Sequence, residues 1–358
     1  MHSLTPVDTQ STAVVEAPAR GGGLTFARVN PLEFSAEIKQ LFLAHERPEF
    51  PAFFDRTYPD AVADGAASWV GRDVQGRICA HIAQFPRPFR FGSREARGSL
   101  LANLMVAQAH RSVWPALSLV RGLLRDSREF GTVDFLYGDP NEKALAILKA
   151  VGFRSVGELR RFVLPLTDQR RSVDLGIRLY HLLGRVKAKS ASLVVTAQRA
   201  GDIPAGSEPF IDAATDVHAL RPGARPSVFR HRLAGYPGLN DWWYTLRRRG
   251  SGGGPVGAAL VRGPDSRGLS VVCALQFESL ALVSSVLVSL AGALREGGAE
   301  RLEISVMAGS QLAREVRRAG FVPRQDCIPV VAMPLSPLGT EAIAVGAEWR
   351  VLPVDLDR

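Results

Sequence analysis

Cysteine is scarce. The 358-residue chain has three, Cys79, Cys273 and Cys327, each in an apolar, strand-like run and none in a CxxC pair. That excludes a disulfide framework and a thiolate metal site, and points to reduced, buried thiols in a cytoplasmic protein. The seven histidines stand singly, so no His/Cys cluster has metal-ligand spacing and no metal is expected. Long apolar runs are missing too: no stretch of about 18 residues is free of charge, so no membrane span is expected. The opening MHSLTPVDTQSTAVVEAPARGGG (1–23) has no basic start followed by an apolar block. It reads as a flexible leader rather than a secretory signal. Lysine is nearly absent, with five (39, 143, 149, 187, 189) among 44 Lys and Arg. The net charge of +9 therefore rests on arginine, dispersed along the chain with small clusters at 159–161, 169–171 and 246–250. Dispersed arginine of this kind accompanies GC-rich coding. It makes no stripe for a nucleic acid, so none is expected as a partner, and an anionic small ligand explains the balance better.

What is present is enough apolar residue, 46 %, for a sizeable core, in a chain long enough for two domains. The chain also repeats itself. ILKAVGFRSVGELRRFVLPL (147–166) and EVRRAGFVPRQDCIPVVAMPL (315–335) both run from a helix end through Gly-Phe into a strand that closes on Pro-Leu. The elements before them repeat in the same order. The first half has a strand at LTFARVN, then a helix with Phe34, Ile38, Leu41 and Phe42 at helical spacing. A broken, aromatic-rich helical segment follows at 47–64, then a hairpin turning near Asp73–Gly76, then the strand REARGSLLANLMV (94–106). A helix after Ser112 carries the stripe Ala116, Leu117, Val120, Leu123 and Leu124 and leads to the short apolar strand of TVDFLYGDP. Strand, long helix and second apolar strand make a crossover, hence a parallel strand pair inside a mixed sheet. The second half gives helical segments, three strands between 241 and 277, a long apolar helix closed by Gly-Gly, the strand ERLEISVM, a short helix and the closing strand. The reading is a duplicated α/β domain (an α+β mixed sheet).

The predicted organisation is a leader (1–23), a first domain (24–167), a linker (168–205) and a second domain (206–358). The linker carries Val173, Leu175, Ile177, Leu179, Leu182, Leu183 and Val186 among basic neighbours, which predicts a basic amphipathic helix. It packs between the halves or, over 171–189, touches a membrane surface.

Chemistry concentrates in LLANLMVAQAHRSVWPALSLVRGLL (100–124), a strand, a turn with Arg111, and a helix start. First-turn amides and the helix dipole make such a turn receptive to anions, and Pro115 suits the first turn because its missing N–H costs nothing there. The stretch VAQAHR (106–111) is similar to the V-x-P-x-x-R opening of the GNAT (GCN5-related N-acetyltransferase) superfamily, and GDPNEKALAILKAVGF (138–153) resembles its N-x-x-A…G-F element. The resemblance spans essentially the whole chain as two tandem copies. It implies, for each, a mixed, mostly antiparallel sheet with a central, splayed parallel pair and flanking helices. It further implies an acyl-CoA co-substrate, acetyl-CoA or longer. The pantetheine arm would lie along Leu104, Met105 and Val106. Its pyrophosphate would meet Arg111, Ser112, Val113, Trp114 and Ala116, and Asn141 would help hold the arm. An amine of a small molecule, such as a sugar- or amino-acid-derived acceptor, would attack in the gap between the splayed strands.

The copies depart from the family in different ways. After Arg111 the family's R-G-x-G-x-G/A reads Arg-Ser-Val-Trp-Pro-Ala, so Ser112 and Trp114 stand where glycines let a backbone approach a pyrophosphate. The tyrosine that many members place before the Gly-Phe, as acid for the departing thiolate, is Leu148 here. Tyr137 is the nearest substitute. Asn103 occupies the depth of the general base, where an amide can only orient a water. His45, Glu46, Glu49 and His81 fall in acceptor-side segments but read first as solvated or structural, and His110 reads as packing against the loop. In the second copy CALQFESLALVSSVL has no Arg and no Gly-rich loop, and Gly309 and Val316 replace Asn141 and Leu148. That copy is expected to bind no CoA. The competing expectation is a tandem scaffold without catalysis that binds a partner or an anionic ligand.

Overall fold

The computed structural model describes residues 23–167, 193–199, 220–222, 241–250, 254–344 and 349. The expected leader up to residue 22 and the expected amphipathic helix over 171–189 lie outside the described residues. So do the helical segments expected between 206 and 240, the described 220–222 apart. The chain forms two compact units, one of residues up to Phe85 with Leu101–Gly131, the other of Pro86–Leu100 with Thr132 onward.

In the first unit, β1 (Thr25–Val29) pairs antiparallel with β2 (Ala67–Arg72), which pairs with β3 (Ile78–Phe91). The hairpin turns where expected: Asp73 Oδ1 accepts from the amides of Gln75 and Arg77 at 3.0 and 2.9 Å. Between β1 and β2 run α1 (Ser35–Leu43) and α2 (Phe50–Ala63). Their apolar stripes bury Ile38, Leu41, Phe42, Phe50, Phe54 and Tyr58. α3 (Val113–Phe130) buries the expected stripe of Ala116, Leu117, Val120, Leu123 and Leu124, and ends on left-handed Gly131. Its polar inward group is satisfied, because Trp69 Nε1 donates to Asp126 Oδ2 at 2.8 Å.

In the second unit, the first part of β4 (Arg94–Val106) pairs in parallel with β5 (Phe135–Gly138) over Gly98–Leu100 only. α4 (Glu142–Ala150) then leads to β6 (Arg154–Pro165). β7 (Leu193–Arg199) is a strand inside the stretch expected as linker, and it pairs with β9 (Asp241–Arg248). β8 (Leu220–Pro222) pairs with the far end of β3. β10 (Gly257–Arg262) and β11 (Leu269–Phe277) follow, then α5 (Leu280–Glu296) and β12 (Arg301–Met307). β11 and β12 are the second parallel pair. α6 (Gln311–Arg318), β13 (Val322–Pro334) and α7 (Pro337–Ala344) close the described chain, apart from Trp349.

The two closing strands trade places. β13, from the second half, lies antiparallel between β5 and β6, while β6, from the first half, lies between β13 and β12. Each is therefore an interior strand with both backbone edges paired, where a strand at the end of its own copy alone would leave an open edge. The exchange goes on past β13. The Ser336 hydroxyl donates to Asp134 Oδ1 at 2.9 Å, ahead of α7, and Trp349 is buried against Phe89, Phe135 and Tyr137. One expectation fails here. Cys79 and Cys273 are buried, but Cys327 is exposed, in the part of β13 where the register with β6 shifts.

Candidate functional site

Pairing of β4 with β5 stops at Leu100, yet β4 runs on to Val106. Its burial pattern changes there: Gly98 to Leu101 are buried, while Ala102 through Val106 are all half-buried. Within this stretch Asn103 has φ +58, a left-handed backbone that Asn tolerates better than most residues. Leu104, Met105 and Val106, expected along the pantetheine, follow it directly.

Asn103 is held from two sides. Its Nδ2 donates to the Tyr58 hydroxyl at 3.1 Å, and its carbonyl oxygen meets His81 Nδ1 at 2.9 Å. A carbonyl only accepts, so Nδ1 carries the proton and Nε2 is left as an acceptor, filled by the Ser68 hydroxyl at 3.0 Å. His81 is wholly buried, and burial pushes its pKa down to about 4, so the ring is neutral. Like Asn103, His81 therefore cannot serve as a base; its lone pair is already occupied.

After β4 the chain makes a tight turn, with a single 3₁₀ turn over Gln108–His110. The turn consumes its own donors. The Gln108 amide donates to His45 Nε2 at 2.9 Å, and the amides of His110, Arg111 and Ser112 donate to carbonyls within the turn. His45 is thereby a loop support whose acceptor nitrogen is taken. Glu49 is paired with Arg47, and that hydrogen bond first of all holds its carboxyl below the ordinary value. Glu46 is exposed in a left-handed turn.

α3 begins next. Ser112 is its N-cap residue but makes no capping hydrogen bond with its side chain. Arg111 is exposed, and no ion pair is formed by it among the described residues. Val113 and Trp114 are exposed at 59 % and 53 %, which is unusual for such large apolar groups, while Ala116 is buried in the core. The turn thus offers a cation without an ion pair among the described residues, a helix start without a side-chain cap and an exposed indole side by side in sequence.

Tyr137 and Asn141 belong to the second unit. Tyr137, expected as the proton donor, is instead a core residue with no exposed surface, packed edge-on to Phe89 at 5.3 Å and to Trp349 at 6.1 Å. Strand alternation brings this about: Tyr137 pairs with Leu100 on one side and Ala332 of the exchanged strand on the other. Asn141 caps α4, its Oδ1 accepting from the Ala144 amide at 3.0 Å, which leaves its Nδ2 for any ligand. The equivalent turn of the second half, from β11 into α5, carries a carboxylate, Glu278, paired with Arg248 at 2.9 Å. A carboxylate at that position works against a phosphate ligand. Among the described residues no group of His, Cys, Asp and Glu is placed to hold a metal ion.

Two roles in this site escape the sequence reading: Tyr58 as the partner of Asn103, and His81, read first as solvated or structural, as its lock. The one signal for His81 is a histidine inside the otherwise apolar, wholly buried run Ile78–Ala83.

Solved structures share this architecture. A probable N-acyltransferase from Enterococcus faecalis V583 matches 88 % of this chain and 73 % of its own at TM-score 0.62 and 10 % identity. A GCN5-related N-acetyltransferase from Kribbella flavida matches 88 % and 73 % at TM-score 0.58 and 15 % identity. A tandem GNAT protein from the clavulanic acid biosynthesis pathway matches 88 % of this chain and 99 % of its own at TM-score 0.52 and 15 % identity. The chain has the GNAT fold. No protein-family model matches the sequence, and no curated protein matches it. The likeness is therefore one of fold, and a tandem GNAT structure covers 88 % of this chain. Among the described residues no helix is long and apolar enough to cross a membrane.

Proposed function

We propose that the protein is an acyl-CoA-dependent N-acyltransferase, an acetyltransferase in the first instance, that acylates an amine of a small molecule from its first half. The observation that supports this best is the turn from β4 into α3. It joins an exposed Arg111, without an ion pair among the described residues, and a helix start without a side-chain cap to a strand whose pairing with β5 ends at Leu100. The phosphates of CoA suit the first two features, and an extended amide-bearing arm suits the third. Ser112, Val113 and Trp114 would meet the nucleotide end, and Leu104–Val106 the arm. The turn's amides at 110–112 are used internally, so the grip falls on Arg111 and the first turn of α3.

In the transfer the amine lone pair forms the new bond to the acyl carbon, the thioester C–S bond breaks with its electron pair going to the CoA sulfur, and the proton lost by the amine passes through water to that thiolate, releasing free CoA. Asn103 cannot take that proton, and His45, Glu49 and His81 are engaged, so a water oriented by the Asn103 amide is the carrier in this reading. Tyr137, enclosed in the core, takes no part. The second half, with Glu278 at its turn, binds no CoA. The protein works in the cytoplasm as two tandem copies, 24–167 and 206–358.

Acetyl-CoA should raise the melting temperature, and Arg111→Glu should abolish the rise. No shift with acetyl-CoA or longer acyl-CoAs would overturn the reading. The burial of Tyr137 favours a second one, a ligand-binding scaffold without turnover. A melting-temperature rise with no CoA release across a panel of primary amines would select it.

A further inference from the structure

We propose that His81 is a positioning residue for acyl transfer, acting through the backbone carbonyl of Asn103 to hold β4 in the conformation the reaction uses. The inference rests on the acyltransferase reading above.

Among the described residues only two non-glycine residues have positive φ, Glu46 and Asn103. Glu46 sits in an exposed turn between helices, where such a backbone is common. Asn103 sits inside a strand, where it is not. A left-handed residue there persists only if its surroundings hold it. Two contacts do so. The His81 Nδ1–H donates to the carbonyl of Asn103 at 2.9 Å, and the side-chain amide of Asn103 donates to Tyr58 at 3.1 Å. Both anchors are wholly buried, so neither exchanges its partner for water.

His81 itself is over-determined. The Ser68 hydroxyl, also wholly buried, fills Nε2 and so selects the tautomer that donates from Nδ1. Phe42 lies edge-on to the ring at 5.6 Å, and Tyr58 lies tilted at 6.4 Å. The low pKa keeps the donor arrangement intact at neutral pH. A buried histidine used only for packing would be replaced by a leucine at no chemical loss. Here one nitrogen is aimed at one carbonyl, at the one strained strand residue, immediately before the residues that meet the acyl arm. Turning the peptide at 103 turns the 103–104 amide with it. The position of that amide relative to the thioester decides whether the acyl carbon is presented to the amine.

The test compares His81→Leu, which removes the donor at similar volume, with His81→Asn, whose side-chain amide nitrogen falls where Nδ1 was. Three quantities are measured on the full chain: the acetyl-CoA-induced melting shift, kcat and KM for CoA release with the best amine of a primary-amine panel, and amide hydrogen exchange over 101–106. For His81→Leu we expect a retained melting shift, a roughly 10- to 100-fold fall in kcat with little change in KM for acetyl-CoA, and faster exchange at 103–104. His81→Asn should recover most of the kcat and the protection. The proposal is overturned if folded His81→Leu turns over like the wild type, or if His81→Asn is as impaired as His81→Leu. Should His81→Leu fail to fold, Ser68→Ala, which frees the tautomer, takes its place with the same two expected directions. A wild type that neither shifts with acetyl-CoA nor releases CoA removes the acyltransferase reading and this role with it. Exchange at 103–104 then still reports separately whether the lock exists.

Discussion

His81 and Gly339 show how much can depend on one buried atom. The folded-state pKa of His81 is about 4, below its ordinary value near 6.5. A base whose pKa is depressed by folding binds its proton more readily when unfolded. Its neutral burial therefore costs nothing above about pH 6.5, and stability drains away as pH falls from there toward 4. The loss reaches at most about 3 kcal/mol. A melting curve series over that window should show the fall, and His81→Asn should flatten it. Gly339 presents a different constraint. A Cβ there would lie 1.9 Å from the Asp134 carbonyl oxygen, a backbone atom that cannot step aside. Gly339→Ala should lower stability by about 1–3 kcal/mol in urea, by lifting α7 off the end of β5. Neither effect is written near these residues in the chain. A glycine in SPLGTEA resembles any loop glycine, and nothing beside His81 announces residues 58, 68 and 103 as its neighbours.

Helices and hairpins were the most legible features. The stripe on α3, the Asp73 turn and the order of the elements all follow from periodicities of 3.6 and 2 and from turn chemistry, which act over a few residues. Site roles are less legible, since a motif position does not say which atom of a side chain a neighbour already uses. Asn141 illustrates this. Its carbonyl oxygen caps α4. Asn141→Ala should therefore cost about 1 kcal/mol, seen as a lower urea midpoint, while the acetyl-CoA-induced melting shift changes little. A large loss of that shift would instead assign the side chain to the ligand. Tyr137 makes the same point more sharply. A tyrosine at the end of an apolar strand carries two meanings, exposed acid or core ring. The partners that choose core, Phe89 and Trp349, lie 48 residues before it and 212 after it in the chain.

The exchanged strands tie the two halves of the sequence together. β5 pairs with β4 on one side and with β13 on the other, and β6 pairs only with strands of the second half. A chain ending at residue 167 would leave β6 without a neighbour and one edge of β5 open. It should aggregate or stay unfolded, whereas co-expression with residues 168–358 should restore soluble protein. A soluble, cooperatively melting 1–167 fragment would contradict the exchange. Trp349 adds to the same tie, and Trp349→Ala should cost about 3–5 kcal/mol, read as a fall in melting temperature.

By itself the amino-acid sequence determined the kind and order of the elements over 24–167 and from 241 onward, their duplication, and the asymmetry between a turn with Arg111 in the first copy and a turn without arginine in the second. Those are local matters of period, capping and charge. Only the tertiary structure decided that the twin GF…PL strands cross into each other's copy, that Tyr137 is core, and that Asn103 is held by Tyr58 and His81. The reason is physical. Strand pairing and side-chain hydrogen bonds join groups that are remote along the chain, and their backbone chemistry is the same whichever partner they find, so the packed core makes the choice.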